Sequence, residues 1–368
     1  MFTLEALPAA QGDCLLLHYG TAGGRELILV DGGPPGVFKN ALKPRLEELR
    51  AASPGADALL IQLAIVSHID SDHVAGVADL LKAIDKARPS STVEIRRLWH
   101  NAFRAITDSD RLAPSLTSGE GGGGGGDVMH GIVASTKQGD LVAQLATALG
   151  IHRNNAQPLL TAGAEVQLPD DDTPVTVRAT SPDAAQIDAL REAWAKDIHA
   201  PGVVPAAYLD DSAWNLSSIV TLVSRDGRQI LLTGDARGDE ILRGLKAQGL
   251  LDAAGKLHVD ILKLPHHGSD RNVATDFFRD ITADHYVISG NGMNGNPEPA
   301  TLTMIAEARG DAEYTVWCTY ETGSQGLGKH LQDWRDAQQA AGRPSTLVTP
   351  ASGASIVIDL DPSEPLTP

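Results

Sequence analysis

Ser67-His68-Ile69-Asp70-Ser71-Asp72-His73 places four groups with metal-binding chemistry, His68, Asp70, Asp72 and His73, within six residues. The stretch before it, 59–66, is short and almost wholly apolar, as in a buried strand, and residues 74–86 repeat apolar positions at helical spacing. In an extended connection alternate side chains share a side, so His68, Asp70 and Asp72 converge while the turn into the helix brings His73 round. Two carboxylates held this close repel each other unless a cation lies between them. Taken alone, the segment also reads as a solvated loop in which Asp70 or Ser71 caps the following helix.

Three more strand ends change that balance. Leu27–Val30 runs into Asp31-Gly32-Gly33, Ile230–Leu232 into Thr233-Gly234-Asp235, and Ile261–Leu264 into Pro265-His266-His267-Gly268-Ser269. A lone Thr-Gly-Asp is a common turn and a lone His-His pair is commonly a matter of packing or surface. Ligand sites in α/β proteins gather at the carboxyl ends of strands, where loops converge. The four ends together supply Asp31, Asp70, Asp72 and Asp235 with His68, His73, His266 and His267, which favours one built site over four unrelated turns.

Outward from these ends, short β-branched runs alternate with helical patterns along the chain, with strands expected at 13–19, 26–30, 59–66, 93–99, 175–179, 218–223, 229–233, 259–264, 286–289, 314–318 and 355–360. Helices are expected at 38–51, 74–86, 140–149, 183–196, 238–248, 274–281, 299–308 and 328–341. This alternation means sheets covered by helices, partly antiparallel where the opening strands follow in quick succession. Residues 101–163 read as an insertion whose glycine run, 121–126, makes a mobile loop; no strand feeds it and no lysine-bearing helix start follows, which argues against phosphate binding. Residues 198–211 read as an irregular loop, 1–360 as a single domain, and 361–368 as a frayed tail.

Composition narrows the function classes. The 368 residues carry 30 Lys+Arg against 47 Asp+Glu, a net charge of −17, with 42% hydrophobic residues. That is a soluble globular balance, and it disfavours a broad basic groove for nucleic acid or an anionic membrane. Cys14 and Cys318 are far apart and form no disulfide framework or cysteine-rich metal site, which fits a reducing cytoplasm. Residues 1–7 read as a strand and not a targeting segment, and no apolar run approaches the roughly 18 residues of a membrane span.

As a set, Gln11-Gly12-Asp13, Asp31-Gly32-Gly33, Ser67 to His73, Asn215-Leu216-Ser217-Ser218-Ile219-Val220, Leu232-Thr233-Gly234-Asp235 and Leu262 to Ser269 resemble the metallo-β-lactamase-fold hydrolases. The similarity is greatest to the hydrolase domain of ComEC-type DNA-uptake proteins and their free-standing relatives. The resemblance implies an α/β, four-layer αββα sandwich of two mixed sheets, and a dinuclear centre of two divalent metal ions (Zn or Mn) at one edge. Carried over by position, it implies His68 and Asp70 on the first metal, Asp72 and His73 on the second, Asp235 bridging, and one of His266 and His267 completing the second site. Asp31 would orient a ligand from behind, and Asn215 and Ser218 would brace the site. Lys263 and Ser269 border the His-His turn as substrate contacts or as ordinary loop and strand residues.

Two departures stand out. Asp70 occupies a position where the commonest pattern has His, and no third His for the first metal is evident: Asn215 holds the matching region, and His199 is a lone loop histidine. The first site is therefore expected to be oxygen-rich, which favours harder ions such as Mn²⁺ alongside Zn²⁺. Asn296-Pro297 stands where many relatives have His-Pro. The expected activity is metal-dependent hydrolysis by a phosphodiesterase or nuclease, with metal-bound hydroxide as nucleophile and Asp72 as the orienting or proton-accepting group. Because the net charge repels long polyanions, short or single-stranded nucleic acid or a nucleotide is the better-matched substrate. The alternatives are hydrolysis of a carbonyl ester, lactone or lactam, and a non-catalytic or partner-activated subunit of a bacterial defence or signalling system.

Overall fold

A computed structural model describes residues 1–21, 24–53, 57–107, 126–169, 173–199, 215, 217–361 and 366. The strands are β1 (Phe2–Ala6), β2 (Leu15–Thr21), β3 (Gly24–Val30), β4 (Leu59–Val66), β5 (Val93–Ile95), β6 (Arg97–His100), β7 (His152–Arg153) and β8 (Glu165–Leu168). They continue with β9 (Val175–Ser181), β10 (Val220–Arg225), β11 (Arg228–Leu232), β12 (Leu257–Lys263), β13 (Ile281–Ile288), β14 (Thr315–Cys318), β15 (Thr346–Val348) and β16 (Ile356–Asp359). The α-helices are α1 (Lys43–Ala51), α2 (Ser71–Ala87), α3 (Phe103–Thr107), α4 (Gly126–Ala148), α5 (Ala184–His199), α6 (Gly238–Ala247), α7 (Thr275–Asp280), α8 (Pro299–Arg309) and α9 (Leu327–Ala340).

Two eight-stranded sheets result, one in the order β16-β1-β2-β3-β4-β6-β7 with β5 beside β4, the other β15-β14-β13-β12-β11-β10-β9-β8. Each is antiparallel on one side and parallel on the other, and the change falls at β3/β4 in the first sheet and β11/β12 in the second. The facing sides bury Leu17, Ile28, Leu63, Ile65 and Trp99 against Val177, Val223, Ile230, Ile261 and Val287. On the outer face of the first sheet, Leu16, Leu29, Ala64 and Val66 pack beneath Val74, Val77 and Leu81 of α2. On the outer face of the second, Leu231, Leu262 and Tyr286 pack beneath α6, α7, α8 and α9 through Ile241, Phe277, Ile305 and Leu331. The architecture is therefore a four-layer αββα sandwich, and strands such as β4 are apolar on both faces because both faces are covered.

Several boundaries differ from the sequence expectation. The 140–149 helix is the end of a longer one, α4, which starts at Gly126 and packs on α2. The expected strand at 286–289 starts earlier, at Ile281, and the short strands β7, β8 and β15 had no expectation. Residues 121–125, most of the 198–211 loop and most of the tail after 361 lie outside the described residues. Among the described residues, no helix is long and apolar enough to cross a membrane.

Candidate metal centre

The change from antiparallel to parallel pairing brings the carboxyl ends of β3, β4, β11 and β12 to one rim. Asp13 joins them from the start of β2, because β2 runs antiparallel to β3 with Leu15 opposite Val30. Asp235 lies at the middle, 3% exposed. Its Oδ2 is 3.6 Å from His68 Nε2 and 3.7 Å from His266 Nε2, and Asp70 Oδ2 is 3.5 Å from the same His68 nitrogen. Its Oδ1 is 3.3 Å from His73 Nε2 and 3.7 Å from His267 Nε2. Asp72 closes that second group, 3.9 Å from His73 Nε2 and 3.6 Å from His267 Nε2. All seven expected ligand residues are thus brought together.

Asp70 holds the N-cap position of α2, but its carboxylate makes no capping hydrogen bond, so capping does not account for the side chain. The side chains of His68, His73, His267 and Asp235 are at most 4% exposed, whereas Asp70 at 30%, Asp72 at 25% and His266 at 20% form the open side. Behind the ligand atoms the imidazoles are tied down. His73 Nδ1 lies 2.9 Å from Asp31 Oδ2, while the Asp31 carboxylate also accepts hydrogen bonds from the Ser67 amide and hydroxyl at 2.7 Å. His266 Nδ1 lies 2.8 Å from Asn272 Oδ1, whose amide nitrogen in turn donates to the Asp235 carbonyl. Anchoring at Nδ1 leaves Nε2 as the free ligand atom, the usual means of orienting a metal-binding histidine.

Among the remaining expected residues, Asn215 is buried with its amide 3.5 Å from His266 Nδ1, and Ser218 is buried behind Gly234. Lys263 is 1% exposed and its ammonium is bonded to Asp13 Oδ2 at 2.8 Å and to the Leu264 carbonyl, so its side chain is turned away from any substrate. Ser269 is turned toward Glu298 at 3.3 Å. Sequence reading noted Asp13 and Asn296 without giving them a role in the centre, and did not single out Asn272. Asp13 Oδ1 is 3.5 Å from His267 Nδ1, and Asn296 Nδ2 donates to the His266 carbonyl. The Gln-Gly-Asp motif held the available signal: a Cβ on Gly12 would lie 2.0 Å from the Asp72 carbonyl oxygen, so only glycine lets this loop lie against the central motif.

Buried imidazoles and carboxylates face one another across the centre. Burial works against protonation of His73, but Asp235, Asp31 and Asp72 outweigh it and hold the imidazole well above its ordinary pKa. His267 is likewise pushed up to about 9, its burial overcome by Asp235 and Asp13. Asp235 and Asp13 are buried, which favours their neutral forms, yet the imidazoles and, for Asp13, Lys263 keep them well below the carboxylate range. His68 Nε2, His73 Nε2, His267 Nε2 and Asp235 Oδ1 are buried with no hydrogen-bond partner. Unpartnered lone pairs converging on a carboxylate suit a divalent cation, and N/O sets of this kind bind Zn²⁺ and Mn²⁺.

Residues 7–141 match the model of the metallo-beta-lactamase superfamily. The αββα architecture is the metallo-β-lactamase fold. The microtubule-associated protein 1A of Mus musculus is 34% identical over 94 residues, and that of Rattus norvegicus 32% over 95 residues. The matched stretch is 25% of this chain and 3% of each relative's own length. Similar solved structures include the metallo-beta-lactamase fold protein YhfI of Bacillus subtilis, at 10% identity and a TM-score of 0.43 over 97% of this chain and 100% of that one. Another is an isothiocyanate hydrolase from Delia radicum gut bacteria, at 13% identity and a TM-score of 0.36 over 96% and 98% of the two chains.

Proposed function

We propose that the chain is a dinuclear metal-dependent hydrolase acting on phosphodiesters. One observation carries the reading: buried, unpartnered imidazole nitrogens of His68, His73 and His267 point at the Asp235 carboxylate, and the open side of the cluster carries Asp70 and Asp72. His68 and Asp70 would hold one ion, Asp72 and His73 the other, with Asp235 shared and the His266-His267 turn completing the set. Two such cations supply Lewis acidity and an activated water at neutral pH.

The chain's own groups do the rest. Asp31 and Ser67 fix the His73 ring, Asp13 faces the back of His267, and Asp72, a quarter exposed, stands where it can accept a proton from an attacking water. Three carboxylates alongside four imidazoles make the set richer in hard oxygen donors than an all-histidine site, which suits phosphoryl chemistry. The motif resemblance to the ComEC-type hydrolase domain points the same way. A net charge of −17 favours a short or single-stranded nucleic acid or a nucleotide over long duplex DNA.

The test is turnover of bis-p-nitrophenyl phosphate by protein purified without chelator, with Mn²⁺ or Zn²⁺ added and Asp235→Asn as control. Metal-dependent cleavage lost in the variant is expected. Cleavage of p-nitrophenyl acetate but not of the diester would overturn the phosphodiester assignment, and silence on both would overturn the hydrolase reading for the isolated chain.

A further inference from the structure

The consecutive imidazoles of His266 and His267 face different oxygens of one carboxylate, His266 Nε2 lying 3.7 Å from Asp235 Oδ2 and His267 Nε2 lying 3.7 Å from Asp235 Oδ1. Within the dinuclear reading above, on which this rests, we infer that the two histidines are divided between the ions. His266 joins His68, Asp70 and Asp235; His267 joins Asp72, His73 and Asp235. Each ion then has two imidazole nitrogens and two carboxylates. The first site is not short of a histidine: His266 stands in for the one absent at Asn215.

Three independent features support the division. First, the backbone is strained for it. His266 (φ 46°, ψ 47°) and His267 (φ 55°, ψ 20°) are both left-handed, a conformation unfavourable for non-glycine residues and one that persists only where surroundings impose it. The His266 amide bonds to Gly234, and the His266 carbonyl accepts from both Asn296 and Ser269. This pinned turn sets the two rings 69° apart with centroids at 6.1 Å, so that their Nε2 atoms reach different oxygens of Asp235.

Second, each ring has a different neighbour at Nδ1: Asn272 Oδ1 at 2.8 Å for His266, and the Asp13 carboxylate at 3.5 Å, an ion-pair contact without a hydrogen bond, for His267. Third, the spacings suit ligation. Bonds of about 2.1 Å put tetrahedral ligand atoms roughly 3.4 Å apart. His266 lies 3.7 Å from Asp235, as His267 does, and His68 lies 3.5 and 3.6 Å from Asp70 and Asp235.

The test counts ions by native mass spectrometry during Zn²⁺ titration of the full chain, with circular dichroism to check folding. Two ions are expected for the unaltered protein and one for His266→Ala and for His267→Ala. The pattern of pairs is the decisive part. Adding His73→Ala to His266→Ala should remove the remaining ion, whereas adding His68→Ala should not; for His267→Ala the dependence reverses. Asn272→Ala, which keeps every ligand, should weaken one ion by about 10–100-fold and leave the other unchanged, and it serves if a histidine variant fails to fold.

Two ions retained at full affinity in either single variant would overturn the division. So would the same pair dependence in both. At most one ion on the unaltered protein would instead sink the dinuclear reading itself, and the division with it.

Discussion

Asp235 to Asn removes one negative charge from the point on which the four imidazoles converge while keeping the shape. We expect the variant to lose most of its metal, measured as bound Zn²⁺ per chain after gel filtration. Lys263 tests the support behind the site. Its ion pair with Asp13 is buried on both sides, and breaking such a pair from one side costs about 3–5 kcal/mol because a bare charge stays buried. Lys263→Met should therefore shift the urea midpoint sharply downward, and adding Asp13→Asn should recover much of the loss without restoring metal affinity. Recovery of both would reduce Asp13 to a packing role. A pH effect follows from His267, whose pKa stands at about 9 against an ordinary 6.5. A raised imidazole stabilises the fold fully below its unfolded pKa and loses that contribution as pH climbs through the folded value. Chelated protein should thus lose urea stability between pH about 6.5 and 9, and a midpoint that rises over this window would contradict the assignment.

At the scale of elements, α2 is held against the Asp31-Gly32-Gly33 turn by glycine on both sides. A Cβ on Gly76 would stand 1.9 Å from the Gly32 carbonyl oxygen. Helix propensity alone would favour Gly76→Ala by about 1 kcal/mol. Here the close approach reverses the sign, and thermal unfolding should show a loss of about 1–3 kcal/mol; a gain would mean that the contact relaxes freely. The same elements explain what could be read from the sequence. The four strand ends were legible because apolar runs stop abruptly at Asp or His, a local signal. Asp13 and Asn272 were not, since their partners His267 and His266 are fixed by tertiary contacts. Strands β7, β8 and β15 are only 2, 4 and 3 residues long and exist because a neighbouring edge pairs them. The start of α4 at Gly126 lies beside a glycine run whose composition argues against helix, and its packing on α2 overrides that preference. The division of His266 from His267 was invisible because it depends on two left-handed residues in succession.

For the whole molecule, the charge of −17 sets how substrates approach. Screening length is about 8 Å at physiological ionic strength and about 30 Å at 0.01 M. Cleavage of a single-stranded oligonucleotide should therefore speed up as salt rises over this range, while bis-p-nitrophenyl phosphate, with one charge, should change little. The opposite trend for the oligonucleotide would reveal a local basic path that outweighs the net charge. The rim itself joins two lengths of chain: Asp13, Asp31, His68, Asp70, Asp72 and His73 come from the first sheet's strand ends, and Asp235, His266 and His267 from the second's. On the proposed assignment neither sheet supplies a complete set of ligands. An ion bound there acts as a rivet across the sandwich, so prising the layers apart means first giving up the ion, and a protease that samples such openings should cut the loaded protein far more slowly than the chelated one.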